Sequence, residues 1–355
     1  MNLMSGVPLS KLGKAPRILL TRTDALGDLI LSAPAFRALR QAYPEAHIAV
    51  LCRSYAAPAL EGNPAVNRVI EIESESRANR AELARRLRSE QYDIALALYP
   101  SSFAADVLRR AGIPVRVGSA RRFHSWKFTH RINHSRKGNT LSEAACNLEL
   151  LAPLGINSEN TAPEVFVKTV ELERMQRRLA ESAVASPFVA LHPGSGGSAL
   201  DWPLEKFVTL ADQLRRRGIR SVFTGSADEA GLIAKRTGVG RRKFVSLAGR
   251  TDLRELAALL SLAEVVVANS TGPLHLAAAV GTGTIGLFPP ARSMSPSRWA
   301  PPVDNTTVLM PEFGPCRCRN GRCRREKSGG TCMESIPVEA VLAKIIERLE
   351  VLQEE

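Results

Sequence analysis

Residues 265–288, VVVANSTGPLHLAAAVGTGTIGLF, join a β-branched apolar run, a polar turn, a helix start and a second apolar run, an order that a strand–helix–strand crossover satisfies. Residues 265–268 read as a strand end, and Asn269, Ser270, Thr271 and Gly272 as a turn whose hydroxyls can cap the next helix. Pro273 suits a first helical position, where its missing N–H would be unpaired anyway. The helix runs on to Gly281, and a strand is expected at 284–288. A Gly/Ser/Thr turn at a helix N-terminus gathers free N–H groups and the positive end of the helix dipole, which favours a bound phosphate. An ordinary capped crossover has the same pattern. His275 stays open too, as a packed, hydrogen-bonded histidine or as a donor to an anion.

The same alternation extends along the chain. Short strands are expected at 17–21, 48–52, 69–72, 94–98 and 115–118, with helices such as 81–91 and 103–111 between them, which indicates βαβ units and a parallel sheet. A helix at 141–154 closes this half, and the polar stretch 155–163 reads as a linker. The second half alternates again: strand 188–191, a turn His192-Pro193-Gly194-Ser195-Gly196-Gly197-Ser198, helix 203–216, strands 220–224 and 244–247, and helix 253–262. No period of 20 to 50 residues repeats, which excludes a solenoid.

At 355 residues the chain exceeds one ordinary domain, so two are expected. No apolar run approaches the roughly 18 to 20 residues of a membrane span, and the N-terminus lacks a signal-peptide core, so a cytosolic location is expected. The net charge of +13 predicts attraction to an anion, and a nucleic acid, a phosphorylated glycolipid or a nucleotide-sugar would each qualify. Between Arg116 and Lys137 lie seven Lys or Arg, no acid, and Phe123, Trp126 and Phe128. Such a loop suits phosphates, with Arg121, Arg122, Lys127 and Arg131 as candidate contacts and the aromatics as anchors. A solvated basic face has the same composition. Cys316, Cys318, Cys323 and Cys332 cluster in a C-x-C-x4-C-x8-C spacing that matches no zinc pattern and has no histidine nearby, so no metal site is expected.

Chemistry-bearing residues fall where strands end. Asp28 comes after the first strand at a helix start, the edge of a parallel sheet where ligands bind, although an Asp there also caps a helix and complements its dipole. Residues 194–199 formally fit G-x-G-x-x-A, but Trp202-Pro203 delays the helix and no acid ends the next strand at the spacing ribose recognition requires. No P-loop motif occurs. Instead, the turns at 194–198 and 269–272 each end a strand and precede a helix, and together they can hold a diphosphate. Glu229 is placed to reach a ribose diol, or is an exposed acid at a helix start.

The segments ALGDLILSAPAFRALRQAYP, ALHPGSGGSALDWPLEKF and NSTGPLHLAAAVGTGTIGLF resemble, in order and spacing, those of glycosyltransferase family 9, the ADP-heptose:lipopolysaccharide heptosyltransferases. The resemblance spans nearly the whole chain. It implies a GT-B fold, α/β, of two Rossmann-like parallel-sheet domains facing across a cleft: an acceptor-binding domain over 1–160, a donor-binding domain over 161–335, and a C-terminal helix over 336–355 packing back on the first. It implies an inverting transfer of a heptose or related sugar from a nucleotide-diphosphate donor to a lipopolysaccharide-core acceptor. Asp28 would be the catalytic base. Ser195 and Gly196 would contact the donor phosphates, Glu229 the ribose and Thr251 the adenine, with Ser270, Thr271, Gly272 and His275 on the diphosphate.

The same resemblance implies no obligatory metal or other cofactor and no nucleic-acid partner, and the excess positive charge favours peripheral contact with the anionic inner face of the inner membrane. Two positions depart from the family. Leu200 stands where the K-x-W-P element has lysine, and Ser270 where aspartate is usual. The lost lysine removes a cation expected to stabilise the leaving diphosphate, so that either backbone donors suffice, another base such as Lys206 reaches in, or the donor differs. The same residues admit two other readings: a nucleotide-sugar epimerase or hydrolase on this fold, or a non-catalytic binding protein.

Overall fold

A computed structural model describes residues 13–133, 140–237, 244–312 and 332–354. The chain divides into two compact units, 1–166 and 167–355. The boundary lies just past the linker expected at 155–163, and a few residues beyond the domain boundary expected at 160/161, because residues 160–164 belong to the first unit. There Arg37 donates to the carbonyls of Asn160 and Ala162, both at 3.1 Å, and pairs with Glu164 at 3.0 Å.

The first unit carries strands β1 (Arg17–Arg22), β2 (His47–Arg53), β3 (Arg68–Ile72), β4 (Ile94–Ala97), β5 (Val115–Ser119) and β6 (His130–Ile132). Its helices are α1 (Leu26–Ile30), α2 (Ala33–Ala42), α3 (Arg77–Ser89), α4 (Ser102–Arg110) and α5 (Glu143–Glu149). All strand pairs are parallel, in the order β3-β2-β1-β4-β5-β6. The apolar strand runs are short and continuous because helices cover both faces, and Ile18, Leu19 and Leu20 of β1 are wholly buried. Burying each such side chain contributes roughly 1.5–3 kcal/mol.

The second unit repeats the plan with β7 (Phe188–His192), β8 (Arg220–Phe223), β9 (Val245–Ser246), β10 (Val265–Asn269), β11 (Gly283–Leu287) and β12 (Thr306–Leu309). Its helices are α6 (Thr169–Glu181), α7 (Leu204–Arg216), α8 (Ala227–Thr237), α9 (Leu253–Leu262), α10 (Gly272–Ala279), α11 (Pro296–Trp299) and α12 (Val338–Glu354). The sheet order is β12-β11-β10-β7-β8-β9, again parallel. Each sheet therefore has one point where consecutive connections turn in opposite directions, β1/β4 in the first unit and β7/β10 in the second. In open α/β sheets, ligands bind in the crevice beyond the carboxyl ends of such strands.

Several elements depart from expectation for local reasons. The helix containing Asp28 is two helices, because Pro34 has no N–H to donate back to Ile30 and the turn at Leu31-Ser32 separates them. The helix expected at 141–154 is only α5, succeeded by a 3-10 turn at Ala152–Leu154 that contains Pro153. The basic stretch 116–133 is not one loop: it begins inside β5, forms a 3-10 turn at Phe123–Lys127, and returns as β6 to pair with β5. Neither β6 nor β12 is expected from the sequence, being only three and four residues long. Helix α12, expected to return to the first half, presents buried Val341 and Ile345 to the core of the second unit, against α7, β10 and β11.

Candidate functional site

The switch point of the first unit is built around a buried cation. Arg22 ends β1, and its guanidinium is wholly enclosed. Nε and Nη2 donate to the two carboxylate oxygens of Asp24 at 2.8 and 2.9 Å, and Nη2 also donates to Asp28 Oδ1. On the opposite edge Nη1 donates to Glu143 Oε1 at 2.9 Å and Asn147 Oδ1 at 3.0 Å, both from α5. Burial opposes the positive charge, but Asp24, Asp28 and Glu143 outweigh it and hold the guanidinium above its ordinary range. Asn147 then donates through Nδ2 to the Leu31 carbonyl and to Ser32 Oγ, and Ser32 Oγ donates to the Asp28 carbonyl at 2.9 Å. The break between α1 and α2 is thereby tied to α5.

Asp28 is therefore not a helix cap. Ala25 occupies the cap position of α1 without a side-chain bond, and the Asp28 carboxylate, one turn in, is spent on Arg22 while keeping 16% of its side-chain surface open. Its neighbour Asp24 has its carboxyl pushed up to about 7, by burial first and then by the Asp28 charge, against the pull of Arg22. Tyr55 hydroxyl accepts the Leu26 N–H at 3.1 Å and reaches the Asp24 carbonyl at 3.4 Å, closing the loop before α1. Arg22, Glu143, Asn147 and Tyr55 were not singled out from the sequence. The one available signal was a charged residue ending an otherwise apolar strand six positions before Asp28.

The basic stretch beyond β5 divides its residues. Arg116 is structural, donating to the carbonyls of Lys127 and Ile113. Lys127 pairs with Asp106 at 2.9 Å, which also holds Arg80 and Arg110, so it is not a free phosphate contact. Arg121, Arg122 and Arg131 are exposed. Of the three aromatics only Phe128 anchors: it is buried over Gly118, where a Cβ would lie 2.5 Å from the ring. Phe123 and Trp126 are 90% and 57% exposed, contrary to the anchoring expected of them, and the Arg109 guanidinium stacks 4.4 Å from the Trp126 ring centre.

In the second unit β7 and β10 run side by side, with His192 next to Ala268, so the turns at their carboxyl ends meet. Asn269 joins them. It is fully buried, its Oδ1 accepts the Trp202 N–H at 2.9 Å, and its Nδ2 donates to the Pro193 carbonyl at 2.6 Å and to Asp201 Oδ1 at 3.3 Å. Ser198 Oγ lies 3.5 Å from Thr271 Oγ1 and donates to the Ser195 carbonyl at 2.7 Å. Ser195 is buried, its hydroxyl bonded to the backbone of Ala199, while Gly196 and Gly197 take positive φ angles of 57° and 80° that carry the turn outward. Thr271 sits at the cap position of α10 with no side-chain cap bond, and Gly272 and Pro273 open the helix. His275 is buried in that first turn. Ser270 donates its N–H to the Leu287 carbonyl.

Two other expected donor residues line the same carboxyl edge. Glu229 opens α8 after β8; its Oε2 accepts the Ser226 N–H at 2.8 Å, and its Oε1 overlies Gly194, where a Cβ would sit 1.7 Å away. It is thus half-buried and turned toward the β7 turn, not an exposed acid. Thr251 comes after β9, immediately before the α9 cap Asp252. His192 lies beneath, its Nδ1 2.8 Å from Thr224 Oγ1, and burial pushes its pKa down to about 4 against the raising influence of Glu229, so the ring is neutral at physiological pH.

Leu200 and Lys206 account for the missing lysine. Leu200 is 4% exposed in the apolar cluster with Trp202, Phe207 and Met333. Lys206, the candidate substitute, donates to the carbonyls of Glu334 and Ile336 at 2.5 and 2.9 Å and holds the segment before α12 instead. Cys316, Cys318 and Cys323 lie outside the described residues; Cys332 is buried beside Met333.

Two doubly wound parallel sheets, each with polar side chains gathered at its switch point, have the α/β architecture of the GT-B fold. Comparison with known proteins narrows this. The family model for glycosyltransferase family 9 (heptosyltransferase) matches residues 80–328, and the chain belongs to that family. It is similar to a lipopolysaccharide heptosyltransferase 3 of Escherichia coli, 29% identical over 276 residues covering 74% of this chain and 80% of the relative. It is similar also to the lipopolysaccharide heptosyltransferase 2 of Escherichia coli K12, 28% identical over 83% of this chain and 87% of the relative. The solved E. coli ADP-heptose lps heptosyltransferase II superposes with a TM-score of 0.79 at 25% identity, covering 95% of this chain and 99% of that one. The protein is an enzyme of the heptosyltransferase kind.

Leu200→Lys is expected to lower stability by about 2 to 4 kcal/mol, because the ammonium would enter an apolar cluster without a partner. Leu200→Met, of similar volume, is expected to cost less than about 1.5 kcal/mol. Urea unfolding of the two variants checks this; a lysine variant as stable as wild type would place position 200 at the polar edge after all.

Proposed function

We propose that the protein transfers a heptose, or a related sugar, from a nucleotide-diphosphate donor, ADP-heptose, to a phosphorylated lipopolysaccharide-core acceptor with inversion at the anomeric carbon. The observation that carries this reading is the pair of turns after β7 and β10, joined through Asn269 at the opening of α10. Such an arrangement aims N–H groups, two hydroxyls and the positive end of a helix at one place, which suits a diphosphate. The E. coli relative of similar fold is named for ADP-heptose, and Glu229 and Thr251 on the same edge suit a ribose and a base. The diphosphate leaves without an obligatory metal in this reading, its charge met by the turn and helix donors.

Asp28 is the general base. An Asp28 carboxylate oxygen takes the proton from the acceptor hydroxyl as the hydroxyl oxygen bonds to the anomeric carbon and the bond to the diphosphate breaks. Arg22 fixes the carboxylate, and the α5 side chains fix Arg22. The acceptor's lipid end calls for a membrane surface. Phe123 and Trp126 project beside Arg109, Arg121 and Arg122, a combination of apolar rings and cations that suits the interface of an anionic bilayer. Among the described residues no helix is long and apolar enough to cross a membrane, and the reading is of a peripheral enzyme.

The direct test is incubation with ADP-heptose. Free ADP appearing only with a lipopolysaccharide-core acceptor supports transfer; sugar conversion or ADP release without acceptor supports an epimerase or hydrolase. Asp28→Asn is expected to lower kcat by about 10²- to 10⁴-fold while ADP affinity by calorimetry is unchanged; retention of more than about a tenth of the rate would remove Asp28 from the base role. For the surface, the double variant Phe123→Ala/Trp126→Ala is expected to lose co-sedimentation with phosphatidylglycerol vesicles while ADP affinity measured without vesicles is unchanged. Equal sedimentation of the variant and wild type would dismiss this patch as the docking surface.

A further inference from the structure

Asp24 stands out because it has no part in the proton transfer from the acceptor, yet shares a single nitrogen with the base. Arg22 Nη2 donates both to Asp24 Oδ2, at 2.9 Å, and to Asp28 Oδ1, which brings two carboxyl oxygens together on one atom. The guanidinium carries one positive charge and faces three carboxyl groups, those of Asp24, Asp28 and Glu143. With all three ionised the enclosed group would hold two uncompensated negative charges, and like charges at hydrogen-bond range in a site of reduced dielectric do not both persist. Other charged or titratable groups approach from every side: Tyr55 after β2, with Arg53 near it, and Tyr99 after β4, with Glu75 and Arg122 near it. Glu75 is already taken by the hydroxyls of Thr23 and Ser101. Asp24 and Asp28 keep 18% and 16% of their side-chain surface open, so a proton exchanges with water at either.

We propose that Asp24 and Asp28 hold one proton between them, Asp24 as the neutral acid that donates to the Asp28 carboxylate, and that Asp24 thereby positions the base. This rests on the reading of Asp28 as the base. In the resting pair Arg22 and the Asp24 hydroxyl fix the Asp28 carboxylate and leave it an oxygen for the acceptor. When Asp28 accepts the acceptor's proton the pair holds two, and one returns to water through the open edge of Asp24. The burial that raises the Asp24 carboxyl acts in the same direction. As pH rises through that range Asp24 ionises, the two carboxylates repel on one nitrogen, and Asp28 loses its fixed orientation. Stability changes with the same sign: a carboxyl raised in the folded state adds stability that is complete below its unfolded value of about 3.9 and is lost as pH rises through its folded value.

Asparagine at position 24 keeps most of the neutral acid's pattern, since its carbonyl can accept from Arg22 Nε and its amide can donate to Asp28, losing only the bond accepted from Nη2; alanine does neither. In wild-type enzyme kcat is expected to fall several-fold from pH 6 to 8.5. Asp24→Asn should hold a flat rate across that range, within about threefold of wild type at pH 6, whereas Asp24→Ala should lose about tenfold or more throughout. The melting temperature of wild type should fall relative to that of Asp24→Asn between pH 5 and 8. A purely structural ion pair predicts the reverse, with asparagine as damaging as alanine and no change in pH profile, and that result would overturn the proposal. Activity surviving in Asp28→Asn would remove the base reading itself. Loss there, with an Asp24→Asn profile parallel to wild type, would remove only the shared proton.

Discussion

Enclosing the guanidinium of Arg22 at the end of β1 dictates the local architecture of the first unit. An arginine without water must have its donors met by protein, and leaving even one partner out costs several kcal/mol. Satisfying it takes Asp24 from the turn before α1, Asp28 from α1 itself and two side chains from α5, one of them 125 residues away. Once Asn147 is committed to Arg22, its amide closes on Leu31 and Ser32, which is where Pro34 already breaks the helix. The Asp28 carboxylate is thus set by a chain of bonds whose cause is a single buried charge.

The second unit meets the same demand for rigidity with an amide. Asn269 uses its oxygen and its nitrogen to hold the Trp202 N–H and the Pro193 carbonyl, so two turns from opposite sides of the switch point are fixed without placing a carboxylate where a diphosphate would sit. Neutral groups, Asn269, Ser198, Thr271 and a neutral His192, lie at the centre. Of the nearby acids, Glu229, lying over Gly194, spends Oε2 on the Ser226 N–H, and burial pushes the Asp201 carboxyl up to about 6. A site with little negative charge of its own loses little to repulsion when a polyanion enters.

How much of this was legible in the chain depends on range. Strand–turn–helix units are local, so the two parallel sheets, Asp28 at a strand end and the Asn269–Gly272 turn could be read from residue types in order. Leu29, Ala33, Phe36 and Leu39 are spaced as one side of a single amphipathic helix, but Pro34 interrupts its bonding and there are two. Arg22, Glu143 and Asn147 were invisible because their meaning lies in a contact across more than 120 residues. The stretch after Arg116 was misread because composition does not separate a cation spent on the fold, such as Arg116 or Lys127, from one left in solvent, such as Arg121. The exposure of Phe123 and Trp126 was hidden for the same reason: an aromatic residue in sequence looks like core.

The missing lysine shows how a substitution at a functional element can be absorbed by packing. Leu200 completes an apolar cluster with Trp202, Phe207 and Met333, and the neighbouring Trp202 Nε1 and Lys206 Nζ both donate to the Ile336 carbonyl just before α12. Restoring a lysine at 200 alone would therefore trade a packed side chain for a buried charge, while Lys206 cannot turn to the polar edge without releasing the segment that enters α12. In the proposed reaction, charge at the leaving group would be met by what the β7 and β10 turns already present: backbone N–H groups, the Ser198 and Thr271 hydroxyls, and the helix that opens at Gly272. Fixed dipoles of this kind act without reorganising, which makes the rigidity conferred by Asn269 the counterpart, in the second unit, of what Arg22 confers on Asp28.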